Sequence, residues 1–229
     1  IYGDLLIIAS QAPEAGVVAY NKLTGELKWK TVNLGATGYV SPVIIKAAGE
    51  DQVVMITAAN RGGFGQPGTG GKVVGLDPLT GKTLWEYSNW QCAIPVPVAF
   101  DAGNSKILIT GGYEAGSAML KIDKKADGSY VVTELYKVLE FGAHTQPPVL
   151  HNGYFYAQYS TNERKDGLVC MSMDGKVMWK TGRNPNFERG ALILADGVIL
   201  DTDGAKKLYL IEKDTNQFKP VASAELLTE

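Results

Sequence analysis

Two eleven-residue segments of this 229-residue chain follow one pattern, and that repetition is the strongest constraint on its fold. They run from Ala19 to Trp29 and from Gly75 to Trp85. Each begins with a small residue, has Asn or Asp two places later, continues with Thr-Gly and closes on Trp. A shorter copy closes on Trp179. Segments that recur at a spacing of roughly 50 residues, or twice that, indicate a repeat protein whose units pack on their neighbours.

Each repeat predicts four β-strands. Short apolar runs flank the Thr-Gly turn, as in a β-hairpin. Upstream lies a second pair of apolar runs joined by a Gly-containing turn, and these pairs are residues 40–45 with 53–56, 94–98 with 107–109, 148–150 with 154–156, and 191–194 with 198–200. Four strands per unit is the composition of a propeller blade. The sequence therefore predicts an all-β fold, a β-propeller of four-stranded antiparallel blades with about four to five blades present.

The repeats divide the chain into five predicted blades within a single propeller domain, 1–229. The blades are residues 1–38, 39–90, 91–141, 142–186 and 187–229, and the first lacks its innermost strand. The third carries Tyr136 where the first, second and fourth carry Trp, and the fifth has no Trp. We expect Trp29, Trp85 and Trp179 to be buried between blades, because an indole ring carries a large apolar surface.

The repeated unit resembles that of the quinoprotein alcohol dehydrogenase-like β-propellers, where it is the tryptophan-docking motif. Residues 39–43, 111–117 and 190–197 are similar to a BamB-like branch of these PQQ-like repeats. The resemblance covers nearly the whole chain and implies a location in the periplasm or cell envelope. Complete propellers of the family have about seven or eight blades. The resemblance thus also implies a fragment of a larger ring, whose open sheet edges would favour edge-to-edge self-association.

Composition and charge argue against several classes of protein. The net charge of −2 argues against a nucleic-acid-binding protein, which usually displays a basic stripe. No apolar run has a length close to the about 18 residues that a membrane-spanning helix needs. Cys92 and Cys170 fall in different predicted blades, so we expect two buried thiols and no disulfide.

No residue pattern marks a catalytic, cofactor or metal site. Enzymes of the resembled family hold PQQ with a vicinal Cys pair, a stacking Trp and calcium, and this chain has no adjacent cysteines. Residues 63–68 match GxGxxG by letters, but dinucleotide binding needs a strand before that loop and a helix after it. The two histidines, His144 and His151, lack partners at metal-ligand spacing. We predict no cofactor, no metal and no catalytic residue.

The arginines are unevenly distributed along the repeats. In a four-stranded antiparallel blade, the loops between the second and third strands leave the same face as the connections between blades. All four arginines and three aromatic side chains fall in these loops. We call them the arginine loop face: Arg61, Trp90, Tyr113, His144, Arg164, Arg183 and Arg189. The opposite turns carry Asp51, Asp101, Asp127, Asp174 and Asp196.

Arginine and aromatic side chains anchor many interfaces and anionic ligands. We therefore predict a non-catalytic binding or scaffolding module whose partner is a protein or a small anionic ligand. The alternative for the loop face is a chance grouping, with Trp90 a core residue. The alternative function is a propeller enzyme of the quinoprotein dehydrogenase type, with its site partly outside this chain. A third is a structural segment of a larger envelope protein.

Overall fold

A computed structural model describes residues 1–60, 70–160 and 164–226. Within these ranges all the secondary-structure elements are β-strands, and the strands form five sheets. The chain divides into two compact units. The first comprises Ile1–Ile109 and Ala118–Leu135, and the second comprises Thr110–Ser117 and Tyr136–Glu229.

The first two sheets belong to the first unit. The first sheet has three strands, in agreement with the missing innermost strand of the first repeat: β1 (Leu5–Ala9), β2 (Val17–Asn21) and β3 (Leu27–Lys30). The second sheet has five strands: β4 (Ala36–Thr37), β5 (Val43–Ala47), β6 (Glu50–Ala58), β7 (Val73–Leu76) and β8 (Thr83–Tyr87). Strand β6 pairs with both β4 and β5 along one edge. The two-residue strand β4 was too short for the apolar pattern to indicate it.

The other three sheets each have four strands in sequential order. The third contains β9 (Phe100–Gly103), β10 (Lys106–Gly111), β11 (Gly116–Lys124) and β12 (Tyr130–Val138). The fourth contains β13 (Val149–His151), β14 (Tyr154–Ser160), β15 (Lys165–Ser172) and β16 (Val177–Lys180). The fifth contains β17 (Leu192–Ala195), β18 (Val198–Thr202), β19 (Lys207–Glu212) and β20 (Lys219–Glu225).

One predicted strand is displaced. The apolar run 94–98 was expected to be the first strand of the third sheet, but that strand is β9 (Phe100–Gly103). Pro95 and Pro97 explain the difference, because proline has no N–H to donate to a sheet ladder. The prediction from the apolar run alone was wrong by a few residues.

The repeated turns are built from the same hydrogen bonds. The Asn21 Oδ1 atom accepts the backbone N–H groups of Leu23 and Thr24 at 3.0 and 2.9 Å. Asp77 Oδ1 accepts the equivalent N–H groups of Leu79 and Thr80 at 2.9 and 2.8 Å. The glycine that follows each turn has a positive φ, 72° at Gly25 and 71° at Gly81. These bonds explain why the motif requires a short polar side chain and Thr-Gly at fixed spacing.

The aromatic residue that closes a repeat contacts the turn of the following sheet in three places. Trp29 Nε1 donates to Pro78 O at 3.2 Å, and Trp179 Nε1 donates to Asp214 O at 2.9 Å. The Tyr136 hydroxyl donates to Met173 O at 3.2 Å, so tyrosine substitutes for tryptophan here. Trp179 is half-buried, whereas the sequence predicted it to be buried.

Trp85 has a different partner. Its Nε1 donates to the Oε1 atom of Gln52, in its own sheet, at 2.6 Å. The indole lies against Gly75, where a Cβ atom would overlap the ring. Trp29 and Trp85 are 8% and 5% exposed, which confirms the expected burial of both rings.

Candidate functional site

The structure separates the residues of the arginine loop face into exposed and buried groups. Trp90 is 4% exposed and His144 is 5% exposed, so burial removes both from the candidate surface. Arg61 lies outside the described residues. The remaining members are Tyr113, Arg183 and Arg189, which are exposed, and Arg164, which is half-buried; all four belong to the second unit.

Tyr113 is held outward by the hairpin that joins β10 to β11. Tyr113 and Glu114 both have left-handed backbone conformations, with φ of 54° and 63°. The Tyr113 ring is perpendicular to the His144 ring, with centroids 4.9 Å apart. His144 Nδ1 is 3.1 Å from the Ser160 carbonyl oxygen. The buried histidine therefore supports a tyrosine that remains 41% exposed.

Arg164 is positioned by stacking and by charge. Its guanidinium lies 5.0 Å from the centroid of the Tyr159 ring, within cation–π range. Its Nε atom donates to Asp166, and Lys180 Nζ donates to the other oxygen of Asp166 at 2.9 Å. Partial burial disfavours the Asp166 carboxylate, but these two cations outweigh burial and hold its pKa below the ordinary value. The arginine thus has a fixed orientation before any partner binds.

Arg183 and Arg189 lie in the connection between β16 and β17, and both are exposed. Arg189 borders an open groove of ≈ 550 Å³. The other described residues that line the groove are Thr145, Gln146, Gly190, Ala191, Thr202, Asp203, Gly204, Ala205, Lys206, Lys207 and Leu226. All of them belong to the second unit. The groove therefore combines one arginine of the arginine loop face with Lys206 from the loop between β18 and β19 and with Lys207, the first residue of β19.

A buried polar network lies beneath the groove. Gln158 Nε2 donates to Asp201 Oδ1 at 2.5 Å and to the Thr202 carbonyl at 2.7 Å. Gln158 Oε1 accepts the Gly190 N–H at 2.6 Å. One glutamine of β14 in this way holds both backbone segments that form the wall of the groove.

Sequence reasoning missed Lys206, Lys207 and Gln146. Lys206 lies in a loop between second and third strands, the same class of loop that defined the arginine loop face, and Lys207 is the residue at which the third strand begins. A count of all cations in these loops, instead of arginines alone, would have included them. Nothing in the sequence indicated Gln146, whose Oε1 atom accepts the Leu192 N–H at 3.1 Å, because that contact depends on how distant segments pack.

The described residues provide no metal cluster of three or more His, Cys, Asp or Glu side chains. Cys92 and Cys170 are free and buried, and burial raises the pKa of their thiols to about 11 and about 12. Neither thiol is therefore an activated nucleophile. Within ranges 1–60, 70–160 and 164–226, no helix has the length and apolar character to cross a membrane.

Five antiparallel sheets built from one repeat define the class of fold, a β-propeller of antiparallel blades. Residues 1–91 match the family model described as "Outer membrane protein assembly factor BamB". A search of curated proteins gave no significant match. The sequence match covers less than half of the chain. For the fold of the remaining residues the evidence comes from solved structures.

Among the solved structures that resemble this chain, two illustrate a likeness over nearly its whole length. BamB from Moraxella catarrhalis matches with a TM-score of 0.51 and 15% identity, covering 97% of this chain and 73% of that one. Quinohemoprotein alcohol dehydrogenase from Comamonas testosteroni matches with a TM-score of 0.56 and 13% identity, covering 98% of this chain. This chain spans 42% of the dehydrogenase. At these identities the structural likeness shows the fold alone. Together with the sequence match, it supports the PQQ-like propeller family.

Proposed function

We propose that the chain is a non-catalytic binding or scaffolding module of the cell envelope, and that it binds a protein partner through the exposed loops of its second unit. The observation that carries this proposal is the fixed geometry of Tyr113 and Arg164. Each is held by a buried aromatic residue, His144 for Tyr113 and Tyr159 for Arg164. Side chains that are ordered before binding lose less conformational entropy when a partner binds.

Several features support a protein partner in the envelope. Tyrosine and arginine are enriched among the residues that dominate binding energy at protein interfaces. Loops on a rigid sheet scaffold commonly carry binding. The match of residues 1–91 to a BamB family model supports an envelope location and a protein partner.

Site-specific photocrosslinking tests the proposal. A photoreactive phenylalanine analogue replaces Tyr113 in cells of the source organism, and the same analogue replaces Asp174 as the control. Asp174 is exposed and lies in a turn of the second unit that belongs to the opposite set of loops. We expect a discrete crosslinked protein from position 113 and none from position 174.

Charge reversal adds a second measurement. Arg183→Glu should weaken the crosslink, and Asp174→Lys should leave it unchanged. Loss of a desolvated arginine costs about 2 to 5 kcal/mol of binding, whereas a charge at the rim mainly alters the association rate. Equal crosslinking from positions 113 and 174 would contradict the proposal.

A further inference from the structure

The groove beside Arg189 is lined by charged, hydroxyl-bearing and apolar residues of the second unit. We propose that it binds an acidic peptide segment, through the carboxylate groups of that segment. This inference rests on the proposed binding role and adds the chemical class of the partner. It follows from three properties of the groove: its charge, its preformed walls and its mixed lining.

Positive charges outnumber negative ones among the described residues that line the groove. Arg189, Lys206 and Lys207 contribute three cations, and Asp203 is the single carboxylate among the described lining residues. Asp203 Oδ1 accepts the backbone N–H groups of residues 205, 206 and 207 at 2.8, 2.9 and 3.0 Å, which bends the chain that leads through Lys206 to Lys207 at the start of β19. The nearby Glu188 carboxylate is hydrogen-bonded to Lys165 and Asn186, and these two bonds, with a smaller contribution from the charge of Arg189, lower its pKa.

The walls of the groove are preformed. Glu188 N donates to Asp203 O at 3.0 Å, and Thr202 N donates to Ala191 O at 3.0 Å. A Cβ atom at Gly190 would overlap the Thr202 carbonyl, and one at Gly204 would overlap the Glu188 carbonyl. The two segments approach so closely only because both positions are glycine. The cations are therefore displayed on a rigid frame.

The size and lining favour a peptide over a small inorganic anion. A volume of ≈ 550 Å³ lies within the range of about 300 to 1,000 Å³ that is typical of ligand sites. Ala191, Ala205 and Leu226 give the groove apolar surface that a lone phosphate would leave uncovered. An acidic segment with interspersed apolar residues uses both kinds of lining.

Fluorescence anisotropy with the purified chain tests the inference. The probe is a fluorescein-labelled peptide of alternating Glu and Leu, and the matched control peptide has Gln in place of every Glu. We expect the Glu peptide to bind at least about tenfold more tightly at low ionic strength, and we expect salt to reduce the difference because it screens exposed charges. Equal binding of the two peptides would overturn the inference.

Variants locate the binding. Arg189→Glu and Lys206→Glu should each weaken Glu-peptide binding by about tenfold or more, because like charges oppose association. Lys176→Glu is the matched control, an exposed lysine in the turn between β15 and β16, and it should change binding by less than about twofold. Lys206→Gln should give an intermediate loss, and it provides a conservative variant if a charge reversal fails to fold. Near-ultraviolet circular dichroism confirms folding of each variant.

The remaining outcomes discriminate between the proposals. Equal weakening by Lys176→Glu would show nonspecific attraction and overturn the inference. Displacement of the peptide by inorganic phosphate at lower concentration than by unlabelled peptide would assign the groove to phosphate, which also overturns it. Absence of peptide binding, with the Tyr113 crosslink intact, would refute the acidic peptide and leave the proposed function standing. Absence of both the peptide binding and the Tyr113 crosslink would refute the acidic-peptide inference and the proposed function.

Discussion

At the scale of single residues, Asp201 links protonation to folding. Its side chain is fully buried, and Gln158 donates to its Oδ1 atom. Burial raises the pKa of this carboxyl to about 8; the Gln158 hydrogen bond acts in the opposite direction, and the charge of Asp203 adds to the rise. In an unfolded chain an aspartate ionises near about pH 3.9. Between these two values the folded state retains a proton that the unfolded state has released.

The sign of the resulting pH dependence follows from that difference. Because the folded state binds more protons, the free energy of unfolding should fall as pH rises from about 4 to about 8, and then level off. Asn cannot ionise, so Asp201→Asn should remove this component. We expect the wild type to lose about 1 kcal/mol or more relative to the variant between about pH 5 and pH 8.

Chemical denaturation across this pH range measures the effect. Asp196→Asn is the control, because Asp196 is exposed in the turn between β17 and β18 and adopts a positive φ that asparagine tolerates. Parallel pH profiles of the wild type and Asp201→Asn would contradict the expectation.

At the scale of structural elements, the two Thr-Gly turns provide a matched comparison. Gly25 and Gly81 have nearly the same positive φ, but a Cβ atom at Gly25 would meet open space. A Cβ atom at Gly81 would overlap the Trp29 ring. The difference between Gly81→Ala and Gly25→Ala therefore isolates the contact between neighbouring repeats.

Both substitutions should destabilise the chain because alanine disfavours positive φ, at a cost of about 1 kcal/mol. Gly81→Ala should cost about 1 to 3 kcal/mol more, since the added methyl displaces a packed indole. Urea denaturation followed by tryptophan fluorescence measures both values. Equal losses would show that the Trp29 contact contributes nothing to stability.

Trp85→Ala should have a larger effect than either glycine variant. It removes a buried indole and leaves the Gln52 Oε1 atom without its donor, so we expect a loss of about 3 to 5 kcal/mol. Trp85→Phe keeps a smaller aromatic ring in place of the indole and should lose less. A Trp85→Ala variant with wild-type stability in urea would show that the second sheet does not depend on this side chain.

The elements were more predictable from the sequence than the site. The Asn/Asp and Thr-Gly positions specify a turn by local hydrogen bonds, so the hairpins β2–β3 and β7–β8 follow from short segments. Burial of Trp90 and His144 depends on packing between distant segments, which loop position does not indicate. The groove beside Arg189 requires close approach of residues 188–191 and 202–204, a long-range contact that only the structure shows.

At the scale of the whole molecule, the chain shares a fold with both an assembly factor and an oxidoreductase. Fold alone does not decide between binding and catalysis. The two cysteines of this chain are far apart in sequence, whereas the quinone-dependent enzymes that the repeat resembles use an adjacent pair, so catalysis needs a direct test.

Reconstitution with PQQ and calcium tests the catalytic alternative. We expect no shift in thermal unfolding, no bound-quinone absorbance after gel filtration, and no dye reduction with alcohols or sugars. The thermal shift reports binding even where turnover fails, since a ligand that binds only the folded state stabilises it. A stoichiometric quinone spectrum would establish the enzyme instead.

The placement of the two thiols has a practical consequence for following the motions of this chain. Cys92 belongs to the first compact unit and Cys170 to the second, and each is shielded from solvent. An alkylating reagent can reach either sulfur only when the surrounding unit opens. Pulse alkylation followed by peptide mass spectrometry would therefore time the opening of each unit separately. Each compact unit of the native chain thus contains one cysteine that reports its opening, and no engineered label is needed.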